Sequence, residues 1–333
     1  MKQIAIIGAG SWGTALAVVA ARAGHNVRLW SRNTAVVNSI NDQRLNSRYL
    51  SSTSIPEAVT ATSDLEAAVH DTSMVLLAVP SHAARETLTA MSSQLNEAAI
   101  IVSVTKGIEI ESGKRISEIA KEVVPGSHSF VCLSGPSFAK EVVDGHPTAV
   151  VAASKDPVAA RTVQNDLSFE NLRIYTNADV VGTEIGGSVK NVMAIAAGMT
   201  AGLGFGANSV AALITRGLAE ITRLARREGA QMETLMGLAG LGDLVLTCTG
   251  SLSRNRFVGE ELGKGRTLEE ITGGLTEVAE GINTARAVKK LADRAGLEMP
   301  ITNEVNAVLY DSKPAREAVA ELMSRPLREE NPR

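Results

Sequence analysis

Aromatic residues are scarce in this 333-residue chain: two Trp, three Tyr and five Phe, 3% in all. The interior must therefore be built from Ala, Val, Leu, Ile and Met. No basic stripe interleaved with aromatics occurs, and the formal net charge is −3, which argues against nucleic acid as a partner. Cysteine is nearly absent. Cys132 and Cys248 lie far apart and outside any C-x-x-C pair, so they read as buried free thiols in a reducing compartment. No cluster of His, Cys and Asp has metal-ligand spacing, so no metal is expected. Lys2–Ile7 runs straight into Gly8 with no cleavage site, so the start does not read as a signal peptide. A long, strongly apolar run is missing too. Met193–Ile214 carries no charge, but it is mostly Ala and Gly and is interrupted at Gly202–Asn208. Two buried helices joined by a turn are expected there rather than a membrane span.

What is present is an alternation of short apolar runs with helical patterns. Ile4–Ile7, Val27–Trp30, Met74–Val79, Ile100–Val104, Phe130–Leu133 and Ala149–Ala153 read as strands, with Arg173–Tyr175 as a possible edge strand. Continuous apolar runs of this kind suit parallel strands covered on both faces. Near Asp179 the strand pattern stops. Val180–Thr200, Val210–Glu228, Leu268–Thr272, Ile282–Ala295, Ile301–Leu309 and Ala315–Met323 read as helices. The expected organisation is an α/β domain over residues 1–178, an all-α domain over 179–323 and a disordered polar tail over 324–333.

Gly8-Ala9-Gly10-Ser11-Trp12-Gly13 fits G-x-G-x-x-G, follows a strand and opens an apolar helix. In such a turn Gly8 permits the tight bend, Gly10 lets backbone approach a pyrophosphate, and Gly13 packs helix on strand. The helix N-terminus offers free N–H groups to the anion. This is the signature of a Rossmann dinucleotide-binding domain with a mostly parallel, doubly wound sheet. The second strand ends in Trp30-Ser31-Arg32-Asn33, without the acid that usually holds a ribose 2′-OH. Arg32 could instead pair with a 2′-phosphate, so NADP(H) is expected to be accepted alongside NAD(H); a solvated surface Arg is the plainer alternative.

Ligands of such sheets sit beyond the carboxyl ends of the strands. Pro80-Ser81-His82, Thr105-Lys106-Gly107 and Ser134–Glu141 fall there. Lys106 could reach an anionic substrate, whereas His82 reads as solvated or structural. In the second half, Lys190 and Arg216 are the only charges between Gly186 and Gly217, and Asp243 is the only one between Glu233 and Arg254. A Lys in apolar surroundings needs a partner or a cleft, and desolvation lowers its pKa toward the range useful for proton transfer. Asp243 is a candidate partner for Lys190, although it could merely cap a helix. Ser253-Arg254-Asn255-Arg256 suits a phosphate or carboxylate, with an ordinary helix start as the alternative.

Together these strings resemble the bacterial type of NAD(P)-dependent glycerol-3-phosphate dehydrogenase. The resemblance runs from Ile4 to about Met323 and is most specific at Gly187-Ser188-Val189-Lys190-Asn191 and Gly240-Leu241-Gly242-Asp243-Leu244. Ser134–Ala139, Ser253–Arg256 and Val278-Ala279-Glu280-Gly281 add to it. It implies a helical domain similar to the C-terminal domain of 6-phosphogluconate dehydrogenase. It implies reversible hydride transfer between NAD(P)H and dihydroxyacetone phosphate, giving sn-glycerol 3-phosphate for glycerophospholipid synthesis. It implies Lys190 as general acid/base, assisted by Asp243. Lys106, Gly135, Ser137, Asp243, Ser253, Arg254 and Asn255 would line the substrate site. Ser11, Trp12, Arg32, Lys106, Ala139, Arg254, Val278 and Glu280 would contact the cofactor. A cytoplasmic homodimer is the family expectation. A β-hydroxyacid dehydrogenase of the same layout, with a carboxylate in place of the phosphate, is a rival. So is an NAD(P)H-binding sensor without turnover, against which the isolated Lys190 and Asp243 argue.

Overall fold

A computed structural model describes residues 1–275, 277–327 and 329–330. Its first half is one sheet. The strands are β1 (Gln3–Ile7), β2 (Asn26–Trp30), β3 (Val59–Thr62), β4 (Met74–Leu77), β5 (Ile100–Ser103), β6 (Phe130–Ser134), β7 (Thr148–Ala153) and β8 (Leu172–Asn177), in the order β3-β2-β1-β4-β5-β6-β7-β8. Every pairing is parallel except β6 with β7. The connecting helices are α1 (Ser11–Arg22), α2 (Thr34–Gln43), α3 (Leu65–Val69), α4 (Ala84–Met91), α5 (Ile116–Val123), α6 (Ala139–Val143) and α7 (Pro157–Leu167).

Strand periodicity divides the core. Side chains alternate between faces. Ile4 and Ile6 of β1 thus join Leu16, Val18 and Val19 of α1 on one face. Ala5 and Ile7 join Leu88, Met91 and Ile119 on the other. Both faces are covered, which is why β1 is apolar at four consecutive positions. Strand order reverses between β1 and β4, so a crevice for ligands opens at their carboxyl ends.

The second half is helical: α8 (Val180–Gly202), α9 (Ala207–Arg227), α10 (Met232–Met236), a π-helical turn (Leu238–Gly242), α11 (Asp243–Thr249), α12 (Arg254–Gly263), α13 (Leu268–Thr272), α14 (Glu280–Ala295), α15 (Pro300–Tyr310) and α16 (Ala315–Ser324). A helix apolar all round belongs inside a bundle, and α8 is buried along almost its whole length. Small residues let its neighbour approach. A Cβ on Gly198 of α8 would lie 2.0 Å from the Arg256 carbonyl oxygen, and one on Gly259 of α12 would lie 1.9 Å from that of Ile195. The two backbones are therefore in direct contact.

Several expectations are corrected. Only the first of the two helices expected over Met193–Ile214 is buried; none of Ala207–Arg216 in α9 is. Polar Asn208, Ser209 and Thr215 and the small Ala residues there gain little from burial, Leu213 and Ile214 are only half-buried, and the fully buried apolar positions of α9 are Ile221, Leu224 and Ala225. β3 was not anticipated: it is an edge strand of four residues, half of them Thr. The antiparallel insertion of β7 was not legible either, because an apolar run does not record its direction. The helix start that is the alternative reading of Ser253–Arg256 is present, and it opens a helix of ten residues, α12. In the polar tail, Ser324 still ends α16, and Arg325 donates to Glu298 at 3.2 Å; Arg328 and Asn331–Arg333 lie outside the described residues.

A buried ion pair ties the halves together. Arg115, at the start of α5, donates to Glu184 of α8 at 2.9 Å, and Ser117 adds its N–H at 2.8 Å. Burial pushes the Glu184 carboxyl up, against the pull of Arg115 and Ser117.

Candidate active site

The turn between β1 and α1 has the geometry its glycines suggest. Gly8 sits at φ +120°, where a Cβ would lie 2.5 Å from the Ala78 carbonyl oxygen of the β4 end. A Cβ on Gly13 would lie 1.9 Å from the Gly8 oxygen. Buried Asn46, which no motif singled out, fastens the turn by donating to Ala9 O at 2.9 Å and to Thr14 Oγ1 at 2.8 Å. Gly10 is the N-cap of α1 and brings no side chain to the helix N-terminus, so the first N–H groups remain available to an anion. The site already holds one: Ser11 N and Ser11 Oγ donate to Glu277 Oε1 at 3.0 and 2.7 Å. A cradle shaped for backbone approach, with an acidic group drawn to it, fits the diphosphate of a dinucleotide.

Across the crevice, Asp243 opens α11 directly after the π-helical turn and is 1% exposed. Lys190 Nζ of α8 donates to Asp243 Oδ1 at 2.8 Å and to Thr247 Oγ1 at 2.7 Å. Thr247, one turn beyond Asp243 on the same face, gives its own proton to Asp243 O at 2.6 Å and so has lone pairs left for the lysine. Lys106, in the loop after β5, donates to Asp243 Oδ2 at 2.7 Å and to Gly135 O at 3.0 Å. One carboxylate thus lies between two ammonium groups, leaving a net charge of +1 that favours an anion. Each ammonium has two of its three N–H groups engaged.

Burial pushes Lys190 down, to about 8, and Asp243 limits the drop. For Asp243 burial acts upward, but Lys106 and Lys190 outweigh it and hold the carboxyl below its ordinary value. Asp243 therefore stays an anion, and Lys190 exchanges its proton near neutral pH, as a general acid/base requires. Cys248 and Cys132 are free and buried; burial pushes Cys248 up to about 12 and Cys132 well above its ordinary value, so neither is a nucleophile.

The Ser253–Arg256 string starts α12, with Ser253 accepting from Arg256 N as the N-cap. Asn255 is buried and engaged at both ends, donating to Asn191 Oδ1 at 3.0 Å and accepting from Gly281 N at 2.9 Å. One of its amide N–H groups is left over. Arg254 is half exposed and paired with Glu277. Glu280, first in α14, accepts from Ser81 N at 3.2 Å and Ser81 Oγ at 2.6 Å, which binds α14 to the loop after β4; burial pushes its carboxyl up. Gly135 O accepts from Ser137 Oγ at 2.9 Å. Ala139 and Trp12 pack against the sheet core, Val278 is exposed, and Arg32 and His82 are exposed beyond β2 and β4. Thr247, Asn46 and Glu277 were missed. Thr247 had a signal in its spacing of four from Asp243; the other two had none. Among the described residues no group of three or more His, Cys, Asp and Glu is placed to hold a metal ion, and no helix is long and apolar enough to cross a membrane.

Residues 3–160 match the family described as NAD-dependent glycerol-3-phosphate dehydrogenase N-terminus, and residues 179–320 the matching C-terminus. The chain is 53% identical over 330 residues to a glycerol-3-phosphate dehydrogenase [NAD(P)+] of Koribacter versatilis, covering 98% of both. It is 51% identical over 331 residues to the enzyme of that name from a Geobacter species, covering 99% of both. The crystal structure of glycerol-3-phosphate dehydrogenase (gpsA) from Coxiella burnetii superposes with a TM-score of 0.94 at 41% identity, over 97% of this chain and 99% of that one.

Proposed function

Because the chain belongs to the NAD-dependent glycerol-3-phosphate dehydrogenase family, we propose that it catalyses the reversible reduction of dihydroxyacetone phosphate to sn-glycerol 3-phosphate with NADPH or NADH. The observation that carries this reading is the buried Lys190 held between Asp243 and Thr247, with Lys106 on the other carboxylate oxygen. Residues 1–178 are the cofactor domain in this reading, and 179–323 are the substrate and dimerisation domain.

When bound, the reduced nicotinamide supplies the hydride. Lys190, as ammonium, has one N–H left for the substrate carbonyl oxygen. It polarises that oxygen and passes its proton to it as the alkoxide forms, ending as a neutral amine that solvent reprotonates. In the reverse direction the neutral amine takes the alcohol proton. Asp243 and Thr247 hold Nζ in one place, so no reorganisation is needed during the step. Lys106 keeps Asp243 ionised and adds positive charge beside the oxygen.

Arg254, with Ser253 and the spare amide of Asn255, is assigned to the substrate phosphate, assisted by Gly135 and Ser137. Gly8, Gly10, Ser11, Trp12 and Gly13 take the diphosphate, and Arg32 the 2′-phosphate of NADP(H). Ala139, Val278 and Glu280 complete the cofactor contacts. The enzyme is assigned to the cytoplasm as a homodimer that supplies glycerophospholipid synthesis.

The test is loss of reduced-nicotinamide absorbance on addition of dihydroxyacetone phosphate, run with NADPH and with NADH. Rapid oxidation with both is expected. A folded protein that binds NADPH yet oxidises neither NADPH nor NADH on addition of dihydroxyacetone phosphate would overturn the assignment.

A further inference from the structure

Glu277 is an acidic side chain to which neither the sequence motifs nor the proposed chemistry gives a part. It lies in the connection between α13 and α14, far in sequence from the phosphate-binding turn, yet its carboxylate reaches into that turn. Oε1 accepts from Ser11 N at 3.0 Å and lies 2.7 Å from Ser11 Oγ, whose one proton it shares with Tyr49 O at 2.8 Å, and Oε2 is paired with Arg254. A Cβ on Gly10 would lie 3.7 Å from Oε1, nearer than any other part of the protein outside the turn itself. The side of Gly10 that must stay bare for a dinucleotide is the side on which this carboxylate stands.

We propose that Glu277 is an internal occupant of the phosphate-binding turn: in the free protein its carboxylate holds the anion position at the N-terminus of α1, and the dinucleotide diphosphate has to displace it. The proposal rests on the cofactor reading of that turn. Three features support it. A carboxylate oxygen and a phosphate oxygen are both anionic acceptors, and both are favoured where a helix leaves its first N–H groups free. Gly10 cannot cap the helix with a side chain, so another group has to satisfy Ser11 N, and Glu277 does so from outside the turn. Finally, the contact is of a kind that can be exchanged. The Arg254 side chain is 48% exposed and that of Glu277 16%, against 1% for Asp243 between its two lysines. A pair with one end half open to solvent is held less firmly than a fully buried one.

Displacement leaves Ser11 and Arg254 with an anionic partner and returns the Glu277 carboxylate to solvent. An incoming phosphate replaces the Glu277 carboxylate on Ser11, and Arg254, released from Oε2, can pair with a phosphate in turn. The cost falls on affinity. Apparent affinity is the intrinsic affinity scaled by the fraction of molecules whose turn is open, so a Glu277 that fills the turn in about four-fifths of the molecules or more imposes a penalty of about fivefold or more.

Dissociation constants for NADPH, and for inorganic pyrophosphate as a competitor, are measured on the wild type and on Glu277→Gln, Glu277→Asp and Glu277→Ala, with thermal melts to establish that each is folded. Tighter binding of both probes, by about fivefold or more for NADPH, is expected in all three variants. The Asp variant keeps the charge but is one methylene too short to reach Ser11 and Arg254 together. Tightening in Gln but not in Asp would assign the effect to charge alone and overturn the displacement. NADPH binding unchanged or weakened in every variant would show Glu277 to be a permanent fastening of the connection. If the wild type itself binds no NADPH, the cofactor reading falls, and this inference falls with it.

Discussion

Lys190 Nζ stands 2.8 Å from Asp243 Oδ1, and both side chains are buried. Neither charge is tolerable there alone, and Lys106 on Oδ2 leaves the group with a positive excess. Replacing Lys190 by Met removes the proton donor but keeps the stem volume; kcat is expected to fall by about 10³-fold. Replacing Asp243 by Asn leaves two ammonium groups facing a neutral amide, and stability is expected to fall by about 3 kcal/mol along with kcat. Initial rates, NADPH affinity and urea unfolding check both. Near-wild-type turnover in the Met variant would remove Lys190 from the chemistry.

The pH dependence should have opposite signs in the two directions. Lys190 titrates at about 8, below its ordinary value because it is buried. Reduction needs the ammonium, so its kcat should be level below that pH and fall above it. Oxidation of glycerol 3-phosphate needs the amine, so its kcat should rise toward that pH and level beyond it. Parallel profiles in the two directions would contradict a shared acid/base.

Arg32, exposed beyond the end of β2, meets no acid at the position where a ribose 2′-OH is usually held. Arg32→Ala should lower kcat/KM for NADPH by about 10-fold to 100-fold, the range for a lost hydrogen bond to a charged group. The value for NADH should stay within about twofold, since NADH has no 2′-phosphate to lose. Equal losses with both cofactors would show a structural role instead.

Arg254→Ala should raise the KM for dihydroxyacetone phosphate by about 10-fold or more, and Arg254→Lys should recover only part of it, because a point charge does not reproduce the guanidinium fork. Steady-state kinetics at saturating NADPH measure this. An unchanged KM would take Arg254 off the phosphate.

The close α8–α12 contact bears on both stability and turnover. A methyl on Gly198 would meet the Arg256 carbonyl oxygen at 2.0 Å. The helices have to separate to admit it, so Gly198→Ala should destabilise by about 1–3 kcal/mol in urea unfolding. It should also lower kcat, because α8 carries Lys190 and α12 carries Arg254.

The amino-acid sequence by itself determined the local elements and the chemical types at the site. Strand β1 and the turn after it were legible because a run buried on both faces is apolar throughout and a phosphate turn demands glycine at fixed positions. Lys190 and Asp243 were legible because a lone charge in an apolar stretch must be compensated. Only tertiary structure decided what compensates it. Asp243 is shared between Lys190 and Lys106, 137 residues away in sequence, and no spacing rule reaches that far. The direction of β7 and the entry of Glu277 into the turn beside Ser11 were settled in the same way. Strand direction and long-range ion pairing depend on where the chain returns in space, which periodicity does not encode.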